Sequence, residues 1–414
     1  MSAKWTVMVY VAGYNNLSTF AGKDLAEMRK VGSGAELKIA VFVKRLEQQA
    51  AHRIIVGRDG QGEVRENLGT NVDSGSPQTM FDFIKWAKAK APAERYALVI
   101  WNHGSGWDPL DLDELYTHVK AAGVTPRELG VRAASELGRS IFTPTLETAL
   151  TLPDAGARAI ASDDGTGHSL DTLELGNVLA KTRKLLGKPL DLLGMDACLM
   201  SCLEVAFQSS ADVRAVVSSE ELEPGDGWPY DKLLADLRTD PGMDGAALGR
   251  VIVKRYIESY KTRTDQWPVT MCAVHSAGIE AFSDKLDAFT MELRRAIRDD
   301  DVDATRLLRA HTRSVRFDGD LIDLKTFCEQ VRSQPFASPV KTAAKKVLDA
   351  LKPGGSFVVA NSTLGPKVER CGGVTAYLPA PTDEISPYYK DLQFAQRHGW
   401  DEFLRSYRRA VRGA

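Results

Sequence analysis

An α/β fold, with a sheet sandwiched between helices, is predicted by three features of this 414-residue chain. Apolar, β-branched runs recur along its first half, too continuous for strands with one wet face. Between them lie stretches with apolar residues at helical spacing. Gly-rich turns separate the two kinds of segment. Strand–helix–strand alternation of this sort implies right-handed crossovers and a mainly parallel sheet with helices on both faces.

The elements follow in order. Trp5–Val11 and Leu37–Val43 read as buried strands, and Leu17, Ala21, Leu25 and Met28 place a helix over 17–30 between them. His52–Val56 adds a further run before a Gly-rich turn. Pro77–Lys90 reads as a helix, with Ser76 as its cap and Pro77 in its first turn. Tyr96–Trp101 is a strand that ends in Asn102-His103-Gly104-Ser105-Gly106-Trp107. After a long interval come a short strand at Arg158–Ser162, a helix at Leu170–Leu186 and a strand at Leu190–Met195. A helix is expected to start near Cys198, followed by a strand at Val213–Ser218 and the turn-rich Glu220–Trp228. Beyond about 240 the pattern is more helical, with strands at Ser356–Ala360 and Val374–Leu378. A boundary near 260 divides a main unit, 1–260, from a helical and α+β extension, 261–414, packed on it. Val269–Val274 is read as a possible further strand of the main sheet.

Composition removes several function classes. The 53 Lys and Arg against 55 Asp and Glu leave a net charge of -2. Nucleic-acid binding and polybasic membrane binding both need a concentrated positive field, so neither partner is expected. Five cysteines without a CxxC pair exclude a disulfide framework or zinc ribbon. The seven histidines show no HExxH or paired-ligand spacing, so no metal is assigned. No glycine pair completes GxGxxG, and neither Gly22-Lys23 nor Gly187-Lys188 completes a P-loop. The apolar start is too short for a membrane span and lacks the features of a signal peptide, which reads as a cytoplasmic chain.

In parallel α/β sheets, functional groups gather beyond the carboxyl ends of the strands. Two strand ends carry reactive chemistry. Tyr96–Trp101 delivers His103 and a Gly-Ser-Gly loop, and Leu190–Met195 delivers Asp196-Ala197-Cys198. A cysteine at a helix N-terminus is favoured as thiolate, and a histidine from a neighbouring strand end completes a nucleophile pair. Gly104 offers an unhindered backbone N–H for an oxyanion. On residues alone, Asp196 suits a helix N-cap as well as a pocket, and Cys198 suits a buried inert thiol. His168 and His275 are rival bases. Cys202, Cys272 and Cys328 read as core, and Cys371 as a loop thiol.

Four segments, taken together, resemble the clostripain family of cysteine peptidases. They are Trp5–Ala12 with Asn15-Asn16-Leu17 after it, Tyr96–Trp107, Met195–Met200, and Ser219–Tyr230, in family order. Two departures stand out. Asn16 occupies a place where relatives often carry an acidic residue, and 108–157 looks unlike the family and reads as an insertion.

The resemblance implies a caspase-like fold, with Cys198 as nucleophile, His103 as acid/base partner, and the Gly104 and Cys198 N–H groups as oxyanion hole. It implies cleavage after Arg or Lys, selected by acidic residues. Asp196 matches one such position, and Asp226 is the expected second, with Glu220 and Glu221 as further pocket acids. Family members are often zymogens cut between the His and Cys motifs, which places processing within 108–160, at Arg158 or another arginine there. An upstream activating protease is a possible partner. No cofactor is expected, although some relatives depend on calcium, for which Asp163-Asp164 is the acidic loop considered. The competing class is a catalytically silent, caspase-like adaptor that binds basic peptides or a protein partner.

Overall fold

The computed structural model describes residues 2–15, 17–102, 104, 106–107, 160–163, 168–261, 268–299, 301–317 and 320–412. The insertion and processing interval, with Arg158, lies outside them, as do Asn16, His103 and Asp164.

The first apolar run forms strand β1 (Ala3–Gly13), whose side chains are buried on both faces along nearly its whole length. Helix α1 (Ser18–Val31) follows, burying Ala21, Leu25 and Met28 as the spacing predicts. Next come β2 (Leu37–Arg45), β3 (Ala51–Ile55) and β4 (Val64–Gly69). Helix α2 (Pro77–Lys90) starts where expected, the Ser76 side chain accepting from the Gln78 N–H. It leads to β5 (Ala93–Trp101). A hairpin of β6 (Ile160–Asp163) and β7 (His168–Leu170) precedes α3 (Thr172–Leu186), which opens on a capping box between Asp171 and Glu174. Then come β8 (Leu192–Asp196), the short helix α4 (Leu203–Ser209) and β9 (Ala215–Ser218).

Among the described residues the main sheet has nine strands, ordered β13-β10-β9-β8-β5-β1-β2-β3-β4, where β10 is Val269–His275 and β13 is Val358–Leu364. The five central strands, β9-β8-β5-β1-β2, pair in parallel. Both edges are antiparallel, β3 and β4 on one side and β10 and β13 on the other. The sheet is therefore mixed, parallel at its centre where the strand ends carry the chemistry.

Helices cover both faces. Helices α5 (Tyr230–Thr239) and α6 (Gly245–Lys261) bury Leu233, Leu234, Ile252 and Tyr256 on the face that α1 also packs against. Helices α2 and α3 lie on the other face with α4. From the later chain, α7 (Ile279–Asp299), α8 (Asp301–Arg313), α9 (Leu324–Ser333), α10 (Ser338–Ala350), α11 (Gln393–Arg397) and α12 (Trp400–Arg412) join that second core. The sheet continues across the boundary expected near 260, because β10 and β13 come from beyond it. Val374–Leu378 contributes instead to a small sheet, β11 (Arg316–Phe317), β12 (Leu321–Asp323) and β14 (Thr375–Tyr377). No helix among the described residues is long and apolar enough to cross a membrane.

Candidate active site

The site is set by sheet register. Strands β5 and β8 are parallel neighbours, with Trp101 opposite Asp196. The two strands therefore end at the same edge of the sheet, β5 running on to Asn102 and β8 to Ala197 and Cys198. His103 itself lies outside the described residues, but its neighbours are fixed. The Asn102 N–H donates to the Asp196 carbonyl at 3.3 Å, and its side-chain oxygen accepts from Asn15 Nδ2 at 2.9 Å.

Gly104 is packed on the nucleophile's own backbone. A Cβ there would lie 1.8 Å from the Cys198 carbonyl oxygen and 2.7 Å from its nitrogen, so only glycine permits this approach. Cys198 is buried. The Glu223 N–H donates to Sγ at 3.2 Å. Burial pushes the thiol up to about 12, while backbone N–H groups of Glu223, Gly104 and Cys198 itself pull it down. Of these, the Glu223 N–H makes the backbone hydrogen bond to the sulfur.

The expected helix at Cys198 is not there. Leu199 takes a left-handed conformation (φ 63), and the chain then runs extended, with the Ser201 N–H donating to the Ser219 carbonyl. Helix α4 begins only at Leu203, with Cys202 at its N-cap. The sulfur is tuned by local N–H groups, not by a helix dipole.

Asp196 caps no helix. Its buried carboxylate accepts from the Tyr230 hydroxyl at 2.8 Å and the Trp228 N–H at 3.3 Å. Gly227, at φ 55, passes so close that a Cβ would stand 3.0 Å from Asp196 Oδ1. Glu223, not named among the expected pocket acids, turns its carboxyl towards Asp196. Burial raises Asp196 to about 7 against the pull of its hydrogen bonds to Tyr230, Trp228 and Glu223, while burial and the Asp196 charge raise Glu223 well above its ordinary value. Asp24 stands behind them, bonded to Trp101 Nε1 at 2.7 Å and raised to about 9 by burial and by the Asp196 charge. Asp24 was legible as an acidic residue on the apolar face of α1, beside Ala21, Leu25 and Met28. Among the described residues, no Lys, Arg or His forms an ion pair with Asp196, Glu223 or Asp24.

The other expected acids fall elsewhere. Asp226 is half-buried and in an ion pair with Lys23. Glu221 is paired with Lys367 at 2.7 Å. Glu220 is fully buried, its carboxylate accepting from the Gly373 N–H at 2.9 Å beside Asp323 and Cys371. Ligand atoms of these three lie within 4.8 Å of one another. Burial raises both carboxyls, and a proton shared between them is sufficient to hold the contact. This cluster braces the loop carrying Cys198 from behind, since the Ser201 hydroxyl donates to the Gly373 carbonyl at 2.6 Å.

His275 is removed as a rival base. It pairs with Ala215 at the start of β9, at the sheet end opposite Cys198. Cys202, Cys272, Cys328 and Cys371 are free and buried in the core. The side chains of His168 and Asp163 lie outside the description.

Comparison with known proteins gives one consistent result. The model of the clostripain family matches residues 9–123 and 149–407. The unmatched interval, 124–148, falls inside the segment read as an insertion, and the match extends well past 260, where the sequence offered no motif. Clostripain of Hathewaya histolytica is 21% identical over 446 residues, covering 93% of this chain and 76% of that protein. A secreted C11 cysteine protease of Bacteroides thetaiotaomicron, solved with an irreversible peptide inhibitor, superposes with a TM-score of 0.64 at 18% identity, over 98% of this chain and 99% of that one. An inactive zymogen C11 protease of Parabacteroides distasonis gives 0.63 at 18% identity, over 96% and 98%.

Proposed function

Since the chain belongs to the clostripain family of cysteine peptidases, we propose that it is an endopeptidase cleaving after arginine or lysine, with Cys198 as nucleophile and His103 as acid/base partner. The observation that carries this reading is the close packing of Gly104 on the Cys198 backbone, with the Glu223 N–H donating to the sulfur, next to the buried Asp196 carboxyl, which lacks a cationic partner among the described residues.

In this reading His103 accepts the thiol proton as Sγ attacks the scissile carbonyl. The developing oxyanion is held by the Gly104 and Cys198 N–H groups. Collapse breaks the C–N bond, and His103 passes its proton to the leaving amine. Water, deprotonated by His103, then hydrolyses the thioester and restores the thiol. Asp196 receives the basic side chain, because a guanidinium taken out of water needs an acidic, hydrogen-bonding partner. Asp226, half-buried next to Gly227, stays the proposed second acid, whereas Glu220 is fully buried against the Gly373 N–H, away from that part.

The chain is proposed to be made as a zymogen cut within 108–160, with Arg158 the favoured bond. Intact mass spectrometry of the wild type beside Cys198→Ala checks this: two fragments from wild type alone indicate self-cleavage, and two from both indicate an outside protease. An uncut, active chain removes the zymogen.

A fluorogenic peptide panel with Arg, Lys, Asp or Ala before the scissile bond tests the activity. Cleavage after Arg or Lys, abolished in Cys198→Ala, is the expected result. Preference for Asp overturns the acidic pocket, and no cleavage even after proteolytic activation favours the silent adaptor.

A further inference from the structure

We infer that Asn15 is a positioning residue for the acid/base: a buried amide–amide hydrogen bond from its side chain to Asn102 holds the end of β5 that leads into His103. This rests on the endopeptidase reading above and names a residue it does not use.

Asn15 lies just past the end of β1 and is buried, 2% exposed. Its Oδ1 accepts from the Leu17 N–H at 2.9 Å, and its Nδ2 donates to the Ala12 carbonyl at 3.2 Å. These two bonds to backbone fix which way the amide faces, since reversing it would set donor against donor and oxygen against oxygen. The other Nδ2 hydrogen is thereby aimed at Asn102 Oδ1, 2.9 Å away. Asn102 is buried as well, at 4% exposed.

Strand pairing alone does not hold Asn102. The ladder between β1 and β5 ends with Val11 opposite Trp101. One residue beyond it, Asn102 is tied on two sides. The Asn15 side chain holds it from β1, and the Asp196 carbonyl accepts its N–H at 3.3 Å from β8. Because β5 lies between β1 and β8, the ties come from opposite neighbours, one on the side chain and one on the backbone. Two residues further on, Gly104 is seated on the Cys198 backbone. His103 is the single residue between these two points in the sequence.

Two buried amides cost free energy unless they are bonded, and an apolar pair would close β1 on β5 without that cost. What the amide pair adds is direction, because a hydrogen bond fixes angle and distance where apolar packing does not. Direction matters at this place. A general base must lie within hydrogen-bond reach of the proton it takes, and an error of about 1 Å costs on the order of 100-fold in rate.

The test begins with Asn15→Ser. Serine keeps an oxygen for the Leu17 N–H, and so the entry to α1, but is too short to reach Asn102. For an arginine peptide, with enzyme concentration set by active-site titration, kcat should fall at least about tenfold while KM stays within about twofold. Asn102→Ala should do the same. The double variant should be no more than about twofold slower than the slower single one, because both remove one shared interaction. A merely structural role would lower the melting temperature and the titratable fraction but leave kcat per titrated site unchanged. A kcat within about twofold of wild type in folded Asn15→Ser, or losses that multiply in the double variant, overturns the inference and leaves the endopeptidase reading intact. Wild-type rates in His103→Ala overturn both. Should Asn15→Ser not fold, Asn102→Ala decides alone, an unchanged kcat overturning the inference.

Discussion

Replacing Gly104 by alanine adds one methyl group and tests the whole reading of the site. That methyl would sit 1.8 Å from the Cys198 carbonyl oxygen and 2.8 Å from its carbonyl carbon, atoms that belong to backbone and cannot swing aside. Restoring ordinary contact, at about 3.4 Å, requires one of the two segments to retreat by about 1.6 Å. The segments in question carry the two N–H groups assigned to the oxyanion and the nucleophile between them. A misplacement of about 1 Å costs on the order of 100-fold in rate, and loss of one oxyanion donor about 100- to 1,000-fold in kcat. Gly104→Ala should therefore lower kcat for an arginine substrate at least about 100-fold while KM changes little, because the oxyanion forms only after binding. Overpacking of this kind also costs about 1–3 kcal/mol of stability, so a melting curve is recorded alongside. Gly34→Ala is the control, since a Cβ there meets nothing within 4 Å. A folded Gly104→Ala enzyme with kcat within about threefold of wild type would refute both the oxyanion assignment and the geometry behind it.

Two further outcomes follow from the buried acids. The free Asp196 titrates at about 7, and a cation binds its ionised form, so KM for an arginine substrate should rise about tenfold per pH unit below 7 and level off above it. A matched citrulline peptide, which keeps the shape of arginine without its charge, should lack this trend in KM, and the same trend in both would assign it to another group. Asp24 behaves differently, because its folded-state value of about 9 lies far above its ordinary 3.8. The folded protein then holds a proton that the unfolded chain has released, so stability falls as pH rises from about 4 to 9. Asp24→Asn keeps an acceptor for Trp101 Nε1 and removes that cost, so it should raise the melting temperature at pH 8 more than at pH 5, by at least about 1 kcal/mol in stability at the higher pH. An equal or lower melting temperature at pH 8 would show that Asp24 is charged in the folded state.

What could be read from the sequence depends on how local its cause is. Strands β1, β2, β5, β8 and β9 were legible because burial on both faces demands unbroken apolar runs, and α2 because Ser76-Pro77 announces its start. The register that brings the ends of β5 and β8 together needs nothing more than two such strands lying adjacent and parallel. The segment after Cys198 was misread for an equally physical reason. Leu199, Met200, Leu203 and Val205 have the composition of an apolar helix, and nothing local says that Leu199 is left-handed. That conformation is imposed from a distance, by Ser219 and Glu221 on one side and Thr375 on the other, which take up the backbone hydrogen bonds of 199–201. The same distinction separates the acids. Asp196 follows a strand directly, so its place was fixed once the strand was found. Glu223, Asp226 and Glu220 sit in one turn-rich loop, where the direction of each side chain depends on the partner it meets: Asp196 for the first, Lys23 for the second, the Gly373 N–H for the third. Three neighbouring carboxyls thus go three different ways. Loop acids are placed by the partner each one meets, and for all three that partner lies far away in the sequence.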